Sequence, residues 1–252
     1  SSIMIQGDHV IAVSYFIERY IKKNYSKAHQ KDITVIPRGI EKDLYRRSFR
    51  PSDAWMENWQ QQLGYKTDAK ILTIAGRLTR WKGQLDFILI LAGLRKRGVN
   101  AFGLIVGSAH KNNKAYEDEL KITAQTYGVT PYLVFLGSRS DLMEIFSISD
   151  CAYSLAKKPE AFGRTTIEAL ALGTPVIGYD HGGTSEILDN IFPRGKVPLN
   201  DIDAAINRTI EVIANHPLIT ESHPYTVGKM ELATLSLYER STKKILISKN
   251  VR

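Results

Sequence analysis

Cysteine is almost missing from this 252-residue chain: Cys151 stands alone, so no internal disulfide can brace the fold. It lies in the apolar run Cys151-Ala152-Tyr153-Ser154-Leu155, which suits a buried structural thiol better than a reactive one. Long hydrophobic runs are lacking too. The longest extends only from Phe87 to Leu94, far short of the roughly 20 residues that a membrane span needs. No signal peptide is visible, and a reducing, cytoplasmic location is the default expectation. The chain has neither Gly-x-x-x-x-Gly-Lys-Ser/Thr nor a strand followed by Gly-x-Gly-x-x-Gly, which excludes an NTPase P-loop and a dinucleotide fingerprint. Its six histidines are scattered, and neither a metal nor another cofactor is expected. Zinc-ligand spacing and basic-aromatic modules are also lacking, so nucleic acid is not an expected partner.

What is present describes an ordinary globular chain. With 43% hydrophobic and 24% charged residues, it can build one substantial core or two small ones. The net charge of +8 is unevenly placed. Between Lys66 and Thr130 eleven Lys and Arg face five Asp and Glu, whereas Pro131 to Leu199 holds six basic and eight acidic residues. The excess surrounds Arg77 and Lys82 and suits a phosphorylated ligand or an anionic membrane surface. Arg95, Lys96 and Arg97 equally suit a solubilising helix end, where the dipole favours them.

The pattern predicts a strand at Asp8 to Val13, a helix capped by Ser14 and running toward Asn24, and a strand at Ile33 to Ile36 closed by Pro37 and Gly39. A polar connection to Pro51 follows, then a helix in which Trp55 and Trp59, one turn apart, read as packing residues. Strands at Lys70 to Ala75, Ala101 to Val106, Tyr132 to Leu136, Asp150 to Ser154 and Pro175 to Gly178 then alternate with helices at Gly83 to Arg97, Lys114 to Tyr127, Asp141 to Ser147 and Arg164 to Leu172. Further helices are read at Asp201 to Ala214 and Gly228 to Ser248. Such alternation predicts an α/β fold with a Rossmann-like, doubly wound parallel sheet.

Two glutamates carry the chemical signal. Glu160 and Glu168 bracket the turn Ala161-Phe162-Gly163 and the helix start Arg164-Thr165, at the carboxyl end of a strand, where such sheets bind phosphorylated ligands. The free amides of Gly163, Arg164 and Thr165 would face an anion from the positive end of the helix dipole. Glutamates near helix starts are also common as plain caps. The continuation Ala169-Leu170-Ala171-Leu172-Gly173-Thr174-Pro175-Val176-Ile177-Gly178-Tyr179-Asp180-His181-Gly182-Gly183-Thr184-Ser185-Glu186 reads as a helix ended by Gly173, a buried strand and a glycine turn. Arg77 and Lys82 follow the first strand of the alternating region at the same sheet edge and could neutralise a diphosphate, Arg77 bidentately and Lys82 as a mobile charge.

The run from Lys158 to Gly183, with Ile71-Leu72-Thr73-Ile74-Ala75-Gly76-Arg77-Leu78-Thr79-Arg80-Trp81-Lys82-Gly83, resembles the donor-site signature of the family-4 retaining glycosyltransferases. The resemblance covers about Asp8 to Asn215 and is strongest up to Leu188. It implies the GT-B fold of two facing Rossmann-like domains, of which this chain would hold mainly the donor half. Residues 1–50 would be a remnant of the acceptor domain with the linker, 51–225 the nucleotide-sugar domain, and 226–252 a C-terminal helix returning to the first residues. By the same resemblance Glu168 would hold the ribose and Glu160 the donor sugar. Arg77, Lys82 and the amides of Gly163, Arg164 and Thr165 would hold the diphosphate, and Gly76, Ala161, Phe162 and His181 would line the site.

The reaction implied is transfer of a sugar from a nucleoside-diphosphate sugar to a hydroxyl of a glycan or lipid-linked acceptor, with retained anomeric configuration. Glu160, Arg77 and Lys82 would be the groups nearest the chemistry. The likeness to enzymes that build bacterial lipopolysaccharide implies peripheral contact with the inner face of the plasma membrane. With the acceptor domain largely absent, donor binding with poor transfer is expected. Two alternatives stay open, a nucleotide-sugar 2-epimerase and a non-catalytic nucleotide-sugar binding module. The sequence departs from the family pattern at Val106-Gly107-Ser108-Ala109-His110, at Asp189 to Gly195, and at Ala161, where glycine is commoner.

Overall fold

The computed structural model describes residues 5–63, 68–109 and 114–250, with side chains through residue 242. Lys66 and His110 therefore lie outside the described residues. The chain opens with a small parallel unit: β1 (His9–Ala12), α1 (Tyr15–Asn24) and β2 (Asp32–Val35). Ser14 caps α1, its Oγ accepting from the Ile17 amide at 3.1 Å, and Val10, Ala12, Ile21 and Ala28 form a local core. A linker leads to α2 (Asp53–Leu63). There Trp59 is buried and stacks on Trp55 at 4.9 Å between ring centroids, while the Trp55 indole donates to Asp141 at 2.8 Å. Both tryptophans pack, as their spacing predicts.

The main sheet has six parallel strands: β3 (Lys70–Ala75), β4 (Ala101–Val106), β5 (Leu133–Gly137), β6 (Cys151–Ser154), β7 (Val176–Tyr179) and β8 (Lys196–Val197). Their order is β5-β4-β3-β6-β7-β8. From β3 the chain winds outward to β5, then returns to place β6 on the other side of β3. The crevice at the carboxyl ends of β3 and β6 is thus the point where strand order reverses, the place where such sheets take ligands. β4, β6 and β7 are buried along their whole length, because helices cover both faces of a parallel sheet. Cys151 lies in this interior, where burial pushes its thiol well up.

The connecting helices are α3 (Gln84–Lys96), α4 (Lys114–Thr126), α5 (Leu142–Ser147), α6 (Arg164–Ala171), α7 (Gly182–Ile191), α8 (Ile202–Asn215) and α9 (Val227–Asn250). One side of the sheet buries Phe87, Ile90, Leu91 and Leu94 of α3 with Leu120 of α4 and Ala205 of α8. The other buries Ile167 and Leu170 of α6 with Ile187 and Leu188 of α7. α9 returns to the first unit: Leu237 is buried and, with Arg240, lines a cavity of about 380 Å³ shared with His9 and Ile33.

Helix α7 and strand β8 correct the sequence expectation, which places a glycine turn after β7 and no helix before Asp201. Glycine pairs are poor helix formers, which hides the start of α7. They are needed for a different reason: a Cβ on Gly183 would stand 2.5 Å from the Phe162 Cα, and one on Gly182 2.8 Å from the Glu160 carbonyl. Their absent side chains let α7 press against the Glu160 to Gly163 loop. Elsewhere the expected elements hold to within a residue or two of their ends.

Candidate functional site

The β3 side of the crevice is built by close backbone approach. Gly76, at φ +156°, donates its amide to the Val106 carbonyl at 2.9 Å. A Cβ there would sit 3.6 Å from the Lys82 side chain, which runs past it. Gly83 heads α3 at φ +83°, and a Cβ on it would fall 2.1 Å from the Leu155 carbonyl. The α3 entry and the segment after β6 are therefore in backbone contact, reinforced by a bond from the Lys157 amide to the Trp81 carbonyl at 2.6 Å. Across this contact Lys82 Nζ donates to Glu160 Oε1 at 2.6 Å, with side chains only 20% and 15% exposed. Arg77 stands exposed at the same edge and, among the described residues, its guanidinium has no ion-pair partner.

The β6 side supplies helix ends. Gly163 caps α6 at φ +101°, and a Cβ on it would lie 2.8 Å from the Thr184 hydroxyl of α7. Its carbonyl takes the amides of Thr166 and Ile167, leaving those of Gly163, Arg164 and Thr165 as first-turn donors without a helical acceptor. Two helix N-termini, those of α6 and α7, meet this loop. The Gly183 amide donates to the Glu160 carbonyl at 2.8 Å, and the Ser14 hydroxyl donates to the Ala161 carbonyl at 2.6 Å.

Some expected ligand residues are turned elsewhere. The Phe162 ring is buried and meets Tyr225 edge-on at 5.6 Å, so it offers a ligand its backbone alone. His181 bonds through Nε2 to the Ala156 carbonyl at 2.6 Å, which ties its ring into the wall of the loop. Glu168 is buried, and its Oε1 accepts from Arg164 Nε at 2.7 Å. Tyr45 of the linker lies against this pair; burial, followed by the Glu168 charge, pushes its phenol above the ordinary range. The structure thus gathers Gly76, Lys82, Glu160 and the backbone of Ala161 to Thr165 at one crevice, brings Arg77 and His181 to its rim and wall, and pairs Glu168 with Arg164 on α6.

Three residues at this site are not singled out by sequence reasoning. Ser14 is visible only as a helix cap, Glu186 only as the end of a glycine-rich run, and Tyr45 as part of a polar linker. The period of Ile187, Leu188 and Ile191 is the signal that would have placed Glu186 on a helix. Among the described residues no group of three or more His, Cys, Asp or Glu side chains is placed to hold a metal ion. The carboxylates of the Asp-x-Asp triplet Asp201-Ile202-Asp203 are engaged, Asp201 capping α8 through the Ala204 amide and Asp203 pairing with Arg97. Among the described residues no helix is long and apolar enough to cross a membrane.

The lipopolysaccharide 1,2-N-acetylglucosaminetransferase of Salmonella typhimurium is 27% identical over 187 residues, 72% of this chain and 47% of that protein. The chain spans about half the length of the curated relatives that it matches first. Among solved structures, a glycosyltransferase from Rickettsia africae superposes with a TM-score of 0.78 at 23% identity, over 95% of this chain and 65% of that one. Anabaena HepE in complex with UDP and glucose gives 0.74 at 25% identity, over 83% of this chain and 55% of HepE. The six-stranded parallel sheet and the fold match those of a Rossmann-like half of a GT-B glycosyltransferase. The model of the family described as glycosyl transferases group 1 matches residues 56–223, well over half of the sequence, and the chain belongs to that family.

Proposed function

We propose that this chain is the donor-binding part of a retaining glycosyltransferase, moving a sugar from a nucleoside diphosphate to an acceptor hydroxyl. The observation that carries the reading is the Lys82–Glu160 pair, seated where strand order reverses and facing the first turns of α6 and α7. A cation, a carboxylate and uncommitted helix amides in one crevice match a ligand that is part diphosphate and part polyol.

In this reading Arg77, Lys82 and the amides of Gly163 to Thr165 take the diphosphate, and Gly76 leaves room for it. Glu160 accepts from sugar hydroxyls, and Glu168 from the ribose once Arg164 yields one carboxylate oxygen. The bond from the anomeric carbon to the diphosphate oxygen breaks as the acceptor oxygen bonds to the same face of that carbon. The acceptor proton passes to a phosphate oxygen. Fixed positive groups lower the barrier by stabilising charge on the leaving diphosphate. No metal is assigned to this step. The acceptor is a glycan or lipid-linked hydroxyl, supplied at the inner face of the plasma membrane. HepE was captured with UDP and glucose, which makes UDP the first nucleotide to test.

The experiment is a thermal-stabilisation titration of the chain with UDP, GDP, ADP and their common sugar conjugates. A ligand present at about 100 times its dissociation constant should add roughly 2.7 kcal/mol of stability. Selective stabilisation by one nucleotide and its sugar conjugate is expected, whereas silence across the panel would overturn the reading.

A further inference from the structure

We propose that Ser14 and Glu186 form a latch that holds the Glu160 to Gly163 loop in position for the sugar part of the donor, an inference that rests on the donor-binding reading above. Ser14 does two things with one hydroxyl. Its Oγ accepts from the Ile17 amide at 3.1 Å, capping α1, and donates to the Ala161 carbonyl at 2.6 Å. Capping alone does not require a proton on the capping group: aspartate caps a helix as well as serine does, but an ionised carboxylate can only accept. The contact to Ala161 needs a donor.

Glu186, on α7, sets the other half. Its carboxylate takes the Tyr15 amide at 3.0 Å and the Phe16 amide at 2.5 Å, with Arg19 at 3.4 Å. These are first-turn amides of α1, where a carboxylate is favoured by both the free donors and the dipole. The side chain of Glu186 is 20% exposed, so water weakens this clamp less than it would an open surface pair. The Tyr225 hydroxyl further ties the Glu186 backbone, donating to its carbonyl at 3.3 Å. With α1 held to α7, Ser14 is presented to the loop.

The loop is then pinned at two consecutive carbonyls: Glu160 by the Gly183 amide and Ala161 by Ser14. A trans peptide is planar, so fixing these oxygens also fixes the direction of the Ala161 and Phe162 amides and the backbone from which Glu160 projects. Arg77 and Lys82 come from the β3 side, Lys82 reaching the Glu160 side chain from there, and the amides of Gly163 to Thr165 are set by the first turn of α6, so the groups assigned to the diphosphate do not rest on these two bonds. Ser14 is accordingly a positioning residue, and the part of the ligand it governs is the sugar that Glu160 would meet, rather than the nucleotide.

The test compares UDP with UDP-glucose, or the pair selected by the nucleotide panel, by calorimetry on the full chain and its Ser14 variants. Ser14→Ala and Ser14→Asp should each weaken the sugar nucleotide about tenfold, the worth of one hydrogen bond, with UDP within about threefold of its original affinity. Ser14→Thr, which keeps both donor and cap, should restore the original ratio. Glu186→Gln should shift the ratio the same way by a smaller factor. Wild-type behaviour in Ser14→Asp would show that the hydroxyl is only a cap and overturn the latch, as would equal losses for the two ligands. A wild-type chain that binds neither nucleotide defeats the donor reading itself, and the latch with it. Folding is monitored by melting temperature, which the Thr variant should leave nearly unchanged and the Asp variant should lower, because Ser14 is buried and the new carboxylate faces the Ala161 carbonyl; the ratio of the two affinities is read on the folded fraction of each variant.

Discussion

Two lysine–carboxylate rungs join the entry of α3 to the segment that follows β6, and they differ in how completely they are satisfied. In the inner rung Asp86 is almost fully buried, with Oδ1 held by Lys157 at 2.8 Å and Oδ2 by the Tyr179 hydroxyl at 2.6 Å. In the outer rung Glu160 receives Lys82 on Oε1 at 2.6 Å, and among the described residues its second oxygen has no protein donor. The charges and lengths are nearly the same. Saturation separates them: a carboxylate with both oxygens engaged in the interior is bracing, while one with a free oxygen beside helix N-termini has capacity left for a ligand.

The largest effect should come from the inner rung. Asp86→Ala strands the buried Tyr179 hydroxyl and releases Lys157, at a cost of about 2 kcal/mol. Urea denaturation should show that loss, while nucleoside diphosphate affinity in the folded variant stays within about twofold. Unchanged stability would remove the bracing role and break the contrast. The outer rung should behave in the opposite sense. Lys82→Ala leaves Glu160, only 15% exposed, without its partner, at a cost of about 1 kcal/mol or more, and it should also weaken nucleoside diphosphate binding by about tenfold or more, since hydrogen bonds to a charged partner contribute roughly 1.5–3 kcal/mol. A variant that binds as tightly as the wild type would show that Lys82 serves Glu160 alone.

How far this was legible in the sequence varies by residue. The strands were readable because buried parallel strands are continuous apolar runs such as Ile71 to Ile74 and Phe102 to Val106. Arg77, Lys82 and Glu160 stood out as charged residues soon after such runs, at the carboxyl edge of a sheet, and Glu168 as the second carboxylate, on the helix that follows the Glu160 turn. Helix α7 was not readable, since its first turn is chosen for closeness to the Glu160 loop rather than for helix propensity. The partners Ser14–Ala161 and Tyr15–Glu186 are 147 and 171 residues apart, and no local pattern encodes contacts at that separation. The role of Asp86 was hidden as well. A charged residue inside an apolar helix reads as an exposed position until Lys157 and Tyr179 are seen to reach it.

The smallest effect sharpens the contrast through pH. Tyr179→Phe deletes the hydroxyl donor of the inner rung and keeps Lys157, so about 1 kcal/mol of stability should be lost at neutral pH. In the wild type, burial first and the bond to Asp86 second push the Tyr179 hydroxyl well above its ordinary range. A folded pKa raised above the unfolded value of about 10 contributes stability that is fully present below pH 10 and is lost as pH rises toward the folded value. The phenylalanine variant lacks that contribution. Its deficit against the wild type should therefore hold steady up to about pH 10 and shrink above it. Tyr153 and Tyr225, whose hydroxyls burial also raises, are present in both proteins and cancel in the difference. Urea denaturation of the two proteins between neutral pH and about pH 11 measures it. A constant offset across that range would mean that Tyr179 ionises alike in the folded and unfolded chains, and the inner rung would then be no more closed to its surroundings than the outer one.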